Sequence, residues 1–485
     1  MKRQRFRFKL LTLLMFALFL LLAVYGCYSV VIYGNRWFSS SHNPRVKTQK
    51  ESVIAGDILD RNGLLLATTA EDGSRVYAPS EAVRRAVVHV LGDGQGNVSN
   101  GVETFQTNYL YGFQTSLMEQ ITTLLSGGQR RGDNVTLTID SRLCASLDAY
   151  FDQHPASLGK RGAAVVMNYR TGEVLALISR PNFDPESPGI AALQDGQPYW
   201  NRALQSLYPP GSTFKIVTML CAMQHIPASD EAVYPCGEQL LVDGQAIRDY
   251  GGAVHGSLTL RQAFMVSCNK VFACIALDAG DDKLRRTAEA FGFGDNFLFR
   301  DLVVENSRYP TGVRTALETA ASGFGQSAIG ATPMHMCMVA ASVANGGVMM
   351  EPRLLYQVTG EGGIQRVGLS SKVYRSVMSA QESYRLEDAM RAVVTGGTGT
   401  RAQVGQLPIC GKTGTAESTL NGRYISYGWF VGYIADKSLP YAVCVVVEDI
   451  DDGLGGGSVC APIAADVFRY LDEHRERVAS PMTED

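Results

Sequence analysis

The chain has 485 residues, 46% of them hydrophobic and 19% charged, which is ample apolar material for several domains with real cores. A net charge of −3, spread without long like-charge runs, excludes a basic surface for nucleic acid. The ten cysteines are irregularly spaced with no C-x-x-C, and the seven histidines form no i, i+4 pair and no H-E-x-x-H. Neither a disulfide framework, a metal site nor a cofactor is therefore expected, and the cysteines read as small apolar core residues.

In chain order, Lys2, Arg3, Arg5, Arg7 and Lys9 precede an uncharged run over residues 10–33. That run is long enough to span a bilayer as a helix, and the basic residues before it hold the tail 1–9 in the cytoplasm. A cleaved signal peptide would have a shorter apolar core ending in small residues, so an uncleaved anchor is expected, with all that follows outside the cell membrane. Residues 39–53 are polar and read as a linker. The stretch 55–64 predicts a hairpin turning at Asn62-Gly63, and 78–91 a helix followed by a glycine-rich loop over 92–100. Residues 135–140 alternate as a strand, and Asp140 or Ser141 then caps a helix to about Phe151. Residues 34–155 thus form a small α+β module with no evident chemistry.

From Gly162 onward, 163–168 and 173–179 predict two apolar strands joined by the tight turn Tyr169-Arg170-Thr171-Gly172. Helices are expected from Ser212, over 258–279, and over 327–345, the last starting near Thr332-Pro333 and stopped by Gly346-Gly347. Three strands follow at 403–418, 423–435 and 439–450, the first pair joined across Asn421-Gly422. Gly455-Gly456-Gly457 reads as a flexible loop before a final helix over 461–475. Two early and three late strands with helices between them predict an α+β domain over 156–485. Its centre is one antiparallel five-stranded sheet closed by both ends of the domain.

The chemistry starts at Tyr208-Pro209-Pro210-Gly211-Ser212-Thr213-Phe214-Lys215. Serine at a helix start is a good cap, which is the plain structural explanation. The spacing offers more, because Lys215 shares a helix face with Ser212 and sits between Phe214 and Ile216. A desolvated, neutral lysine can take the proton of a serine hydroxyl, and the helix end supplies N–H groups for an oxyanion. S-x-x-K occurs three times, at Ser157/Lys160, Ser212/Lys215 and Ser267/Lys270; the first contains Gly159 and reads as a loop. Ser267-Cys268-Asn269 and Lys412-Thr413-Gly414-Thr415 carry little weight separately, since polar residues on a helix or strand usually face water. Gly405…Gly411-Lys412-Thr413 has one residue too many for a phosphate-binding P-loop, and strands rather than a helix follow it.

Together, S-x-x-K, S-x-N and K-T-G in this order resemble the motif set of penicillin-binding proteins and serine β-lactamases. The chain resembles a class B penicillin-binding protein, the monofunctional peptidoglycan D,D-transpeptidase, over nearly its whole length. Further matches are the basic tail and anchor, Gly56-Asp57-Ile58-Leu59-Asp60-Arg61-Asn62-Gly63 and Leu137-Thr138-Ile139-Asp140. His255-Gly256, Gly323-Phe324-Gly325-Gln326, Thr332-Pro333, Ala344-Asn345-Gly346-Gly347 and Gly397-Thr398-Gly399 ahead of Lys412 continue the series. The resemblance implies the same antiparallel sheet with helices on both faces, standing on a pedestal at 34–155 that is short for the family. It implies Ser212 as acylated nucleophile, Lys215 as its base, Ser267 as proton relay and Lys412 as the charge behind it. Asn269, Thr413, Gly414 and Thr415 would bind the stem peptide ending in D-Ala-D-Ala, for which β-lactams are mimics. The N–H groups of Ser212 and Thr415 would form the oxyanion hole. The pedestal stretch is too short for a glycosyltransferase domain, so a multi-spanning glycan polymerase is the implied membrane partner.

Two other functions are compatible with these motifs. A D,D-carboxypeptidase or β-lactamase would let water attack the acyl-enzyme, and no glutamate placed for that task is evident in the sequence. A non-catalytic β-lactam sensor would need a larger signalling segment than nine cytoplasmic residues. Transfer to an amine of a neighbouring stem peptide is the leading expectation.

Overall fold

The computed structural model describes residues 2–38, 53–70, 72–113, 130–187, 195–420 and 423–479, with Leu125 and Gly189 as isolated positions. Most of the linker expected at 39–53 and the Asn421-Gly422 turn lie outside the described residues. The first helix, α1 (Lys2–Phe38), is longer at both ends than the apolar run that predicts it. Its segment Gln4–Val30 has a mean hydropathy of 2.5, and the apolar window within it is not buried by the rest of the chain. Leucines and phenylalanines point outward on every side of this helix, which suits lipid rather than a protein core.

Strands β1 (Ile58–Leu59) and β2 (Leu65–Thr69) pair antiparallel around the Asn62-Gly63 turn, where the Asp60 carboxylate accepts from the N–H of Asn62 (2.8 Å) and Leu64 (2.9 Å). Strand β3 (Arg75–Tyr77) pairs with β2, and α2 (Glu81–Leu91) is capped by Ser80. Strand β4 (Asn134–Leu137) runs parallel to β1. Asp140 caps α3 (Ser141–Gln153), accepting from Arg142 and Leu143 N–H groups.

Strands β5 (Gly162–Asn168) and β6 (Val174–Arg180) form the hairpin expected from their apolar runs. After α4 (Lys215–His225), the helix expected over 258–279 is two helices, α5 (Leu260–Met265) and α6 (Asn269–Ala279), broken at Val266-Ser267-Cys268. Thr332 caps α7 (Pro333–Ala344), with proline at the first helical position. Strands β7 (Leu355–Thr359) and β8 (Gln365–Gly368) follow, and they join the sheet of the first module, whose order is β8-β7-β4-β1-β2-β3. The stretch 156–485 therefore donates two strands to the smaller module. Buried Glu173 holds this joint, facing both Arg353 and Arg61. A further helix, α8 (Ala380–Gly396), was not expected, although Ser379 and Glu382 form a capping box at its start.

The last strands are β9 (Ile409–Leu420), β10 (Arg423–Ile434) and β11 (Tyr441–Glu448). Strand β9 begins six residues later than expected, because the chain turns at Gly405-Gln406, with Gly405 at φ of 46°, before it enters the sheet. The final helix, α9 (Gly456–Glu473), starts within the glycine run that was expected to be a flexible loop. A side chain on Gly456 would strike the carbonyls of Trp429 and Gly414 within 2.4 Å, so close packing explains this glycine. The large sheet has the order β9-β10-β11-β5-β6, antiparallel throughout, with both ends of the domain meeting at β11 and β5. Every residue of β5 and β11 is buried, so helices cover both faces, α7 on one and α9 with α3 on the other. Strand β9 is left as an edge.

Candidate active site

Pro209 and Pro210 deliver the chain to a 3-10 turn, Gly211–Phe214, which runs directly into α4. Ser212 therefore stands inside a turn and not at the cap position its context predicts; no side chain caps either helix start. Gly211 has φ of 52°, and a Cβ there would lie 2.5 Å from the Thr415 carbonyl oxygen of β9. Gly414 permits the same approach from the other side, since its Cβ would meet Pro210 O at 3.1 Å and Thr213 Cγ2 at 3.0 Å. Two glycines thus let the nucleophile turn lie against the sheet edge. Thr213, Phe214 and Lys215 are buried, and only Ser212 of this run is partly exposed.

The three-residue spacing brings Lys215 beneath the turn, yet its Nζ is directed elsewhere. It donates to the Ser267 carbonyl (2.6 Å), to Ser267 Oγ (3.2 Å) and to Asn269 Oδ1 (2.8 Å), over the Phe272 ring at 5.4 Å. Ser267 reaches this place because its φ is 61°, a left-handed backbone that ends α5 and turns the hydroxyl inward. Cys268 then caps α6 through its sulfur. From β9, Lys412 Nζ donates to Ser267 Oγ at 2.9 Å and to the Thr413 carbonyl at 2.9 Å. One serine hydroxyl thus bridges two buried lysines. Thr413 Oγ1 lies 2.6 Å from Thr398 Oγ1, and Thr415 is partly exposed at the open edge.

Burial away from water pushes the Lys215 ammonium down to about 7, with Cys268 and Asp249 opposing the shift. Burial, followed by repulsion from Lys215, holds Lys412 well below the ordinary lysine range as well. That direction runs against a Lys412 carrying a fixed charge at all times. Both amines are thus shifted toward their neutral forms, and the Ser267 hydroxyl between them joins them through hydrogen bonds.

The family model of the penicillin binding protein transpeptidase domain matches residues 162–469. The chain belongs to this family. It is a class B penicillin-binding protein, a serine-type peptidoglycan D,D-transpeptidase, and among the described residues one helix, near the N-terminus, is long and apolar enough to cross a membrane. It is 30% identical to the peptidoglycan D,D-transpeptidase PbpA of Mycolicibacterium smegmatis over 87% of this chain and 89% of that one. PbpA of Mycobacterium tuberculosis is also 30% identical, over 93% and 96%. The penicillin G acyl-enzyme complex of penicillin-binding protein A from M. tuberculosis superposes with a TM-score of 0.77 at 28% identity, covering 86% of this chain and 99% of that one.

Within this penicillin-binding protein, the fold gathers Lys215, Ser267, Asn269 and Lys412 into one hydrogen-bonded set, with Ser212, Gly414 and Thr415 where the turn meets β9. The first S-x-x-K copy is elsewhere: Ser157 Oγ donates to Phe151 O (2.8 Å), and Lys160 Nζ pairs with Asp451 (2.7 Å). Lys270 of the third copy pairs with Asp249 at 3.5 Å. Sequence reasoning missed Asp249, whose Oδ1 accepts the N–H groups of Asn269 and Lys270 and so orients the S-x-N segment. Thr398 was noticed only as part of a glycine motif. Cys236, Asp249, His255 and Cys268 also come together, with donor atoms that all lie within 4.8 Å of one another. The intervals between them match no standard motif; only the fold makes the cluster visible.

Proposed function

We propose that Ser212 is the acylated nucleophile of this transpeptidase and that the lysine–serine–lysine bridge moves its proton. Ser212 Oγ attacks the carbonyl between the two terminal D-alanines, and its proton passes to neutral Lys215. The C–O bond of the acyl-enzyme forms, the C–N bond breaks, and Ser267 with Lys412 returns a proton to the departing amine. An amine of a neighbouring stem peptide then attacks the ester, and Ser212 recovers its proton. N–H groups of Ser212 and Thr415 stabilise the oxyanion, Asn269 binds the substrate amide, and Thr413 and Thr415 hold its terminal carboxylate at the open edge of β9. A carboxylate entering there favours the charged form of Lys412 and makes it the electrostatic partner of the substrate.

The observation that carries this reading is Ser267 Oγ, 3.2 Å from one lysine and 2.9 Å from the other. Among the described residues, none of the hydrogen bonds of Lys215, Ser267 Oγ or Lys412 involves a carboxylate, so that set holds no carboxylate base for a deacylating water. Transfer is favoured over hydrolysis. The decisive measurement is intact mass over time after penicillin is removed: the Ser212 adduct should persist for many minutes. An adduct lost within seconds, with drug turnover, would make the protein a hydrolase.

The reading extends to topology. The basic residues Lys2 to Lys9 support a cytoplasmic tail 1–9, an anchor over 10–33, a pedestal over 34–155 and a catalytic domain 156–485 outside the membrane. There it would work beside a multi-spanning glycan polymerase. Protease added to intact protoplasts should digest the domain, and protection would refute the orientation.

A further inference from the structure

We propose that Tyr250 is a specificity-determining residue of this transpeptidase: with Leu454 it forms a clasp across the mouth of the active-site cleft, and the clasp limits the size of the residue that leaves the donor peptide. This limit rests on the acyl-transfer reading, in which Thr413 and Thr415 hold the donor's terminal carboxylate.

Two elements reach the rim from opposite walls. On the S-x-N side, the Arg248 carbonyl accepts from Asn269 Nδ2 (3.1 Å), and Asp249 Oδ1 accepts from the N–H groups of Asn269 and Lys270. Tyr250 comes next, so its backbone starts from the wall that carries Ser267 and Asn269. On the sheet side, the Gly456 N–H donates to Thr415 Oγ1 at 3.4 Å, and a Cβ on Gly455 would lie 2.7 Å from that oxygen. Leu454 directly precedes them. The Tyr250 hydroxyl donates to the Leu454 carbonyl at 3.4 Å, joining residues 204 positions apart. Lys412 and Ser267 join the same walls, but that bond starts from a fully buried lysine, whereas Tyr250 is 58% exposed. One link lies at the floor of the cleft and the other at its rim.

The clasp is built to part. Among the described residues the Tyr250 hydroxyl makes one hydrogen bond, long for an O–H···O contact, and an exposed ring makes it, so packing does not hold it shut. Gly251 and Gly252 follow with φ of 65° and 73°, and Gly453 precedes Leu454 with φ of 78°. A Cβ added at any of the three would meet nothing within 4 Å. Their left-handed backbone favours glycine, yet nothing packs on them, so these turns move while Arg248 and Asp249 stay anchored. A donor whose carboxylate sits at Thr415 has its last residue beside Leu454. The methyl of D-alanine needs little room there; a larger side chain forces the clasp open and forfeits its hydrogen bond. Selectivity thus comes from a cost imposed on the wrong leaving residue.

The test gives the full chain in detergent two thioester donors with one acyl group. One releases 2-mercaptopropanoate, the counterpart of D-alanine, and the other 2-mercapto-3-phenylpropanoate; the thiol released gives kcat/KM for each. The wild type should favour the small leaving group. Tyr250→Ala should narrow that preference at least about tenfold, and Tyr250→Phe, which keeps the ring and drops the hydroxyl, about two- to fivefold. General damage lowers both donors alike and leaves the ratio unmoved. Tyr250→Phe, a one-atom change at an exposed ring, decides the matter should the alanine variant fail to fold. A wild type indifferent to size, or a ratio unchanged in a folded Tyr250→Ala, overturns the proposal, and a Tyr250→Phe ratio equal to that of the wild type overturns the clasp. Penicillin labelling run in parallel separates the two readings. Variants labelled at Ser212 with an unmoved ratio defeat the role of Tyr250 alone, whereas a wild-type chain never acylated at Ser212 defeats the acyl-transfer reading.

Discussion

Ser157/Lys160 and Ser212/Lys215 are the same motif in two environments, and the contrast shows what makes such a pair reactive. Ser157 spends its hydroxyl on the backbone at the end of α3, and Lys160 reaches out to Asp451, two-thirds exposed, and to the Asp449 carbonyl. That lysine is paired with a carboxylate at the surface. Lys215 is fully buried, has no hydrogen-bonded carboxylate among the described residues, and sits at about 7 for that reason. Its neighbour Ser212 remains partly exposed at the sheet edge. Spacing is common to both; desolvation without a counter-ion belongs to one.

The largest test of this contrast is covalent labelling by a fluorescent penicillin. Ser212→Ala should abolish it, and Ser157→Ala should leave it intact. Labelling that survives in the Ser212 variant would sink the assignment.

Lys412→Ala comes next. Removing the amine that hydrogen-bonds Ser267 should slow penicillin capture by about 10²–10³-fold while altering release of the adduct much less. Acylation and deacylation rates measured separately would show it, and an equal effect on both would argue for general disruption.

Titration sharpens the comparison further. Acylation should climb with pH and level off above about 7, falling about tenfold per unit below it as Lys215 takes up its proton. Stability carries the same signature. Between about 7 and the ordinary lysine value, the unfolded chain holds a proton that the folded one lacks, so this group makes stability rise with pH across that window. Below about 7 the cost of burying the charge is fully present. Lys215→Met should remove it, raising the melting temperature most on the acid side; an unchanged slope against pH would mean that Lys215 is not desolvated.

The smallest effect is expected at the unreactive pair. Ser157→Ala leaves two carbonyls without their hydroxyl donor and should cost about 1 kcal/mol by denaturant unfolding, with acylation unchanged.

Much of this protein was legible in its sequence because the signals are local. Apolar length and the basic flank marked the spanning helix, apolar runs marked the first two strands of the large sheet, and Asp140, Thr332 and Asn62-Gly63 marked caps and a turn through short-range hydrogen bonds. The order of the three motifs was enough to suggest the family, since it depends on residue identity alone. Other features depended on contacts between distant residues. The split between α5 and α6 at Ser267 arises because the serine must face two lysines, from α4 and β9, and helical propensity does not encode that demand. Strands β7 and β8 were not expected at all, and they join the small sheet through β4, which lies more than two hundred residues upstream of β7. The Lys215 shift is a property of what surrounds the amine, and the Cys236–Cys268 cluster of a hairpin folding back onto a helix start. Sequence determined which groups could react; only tertiary structure excluded the water and brought together the distant residues that decide which of them do.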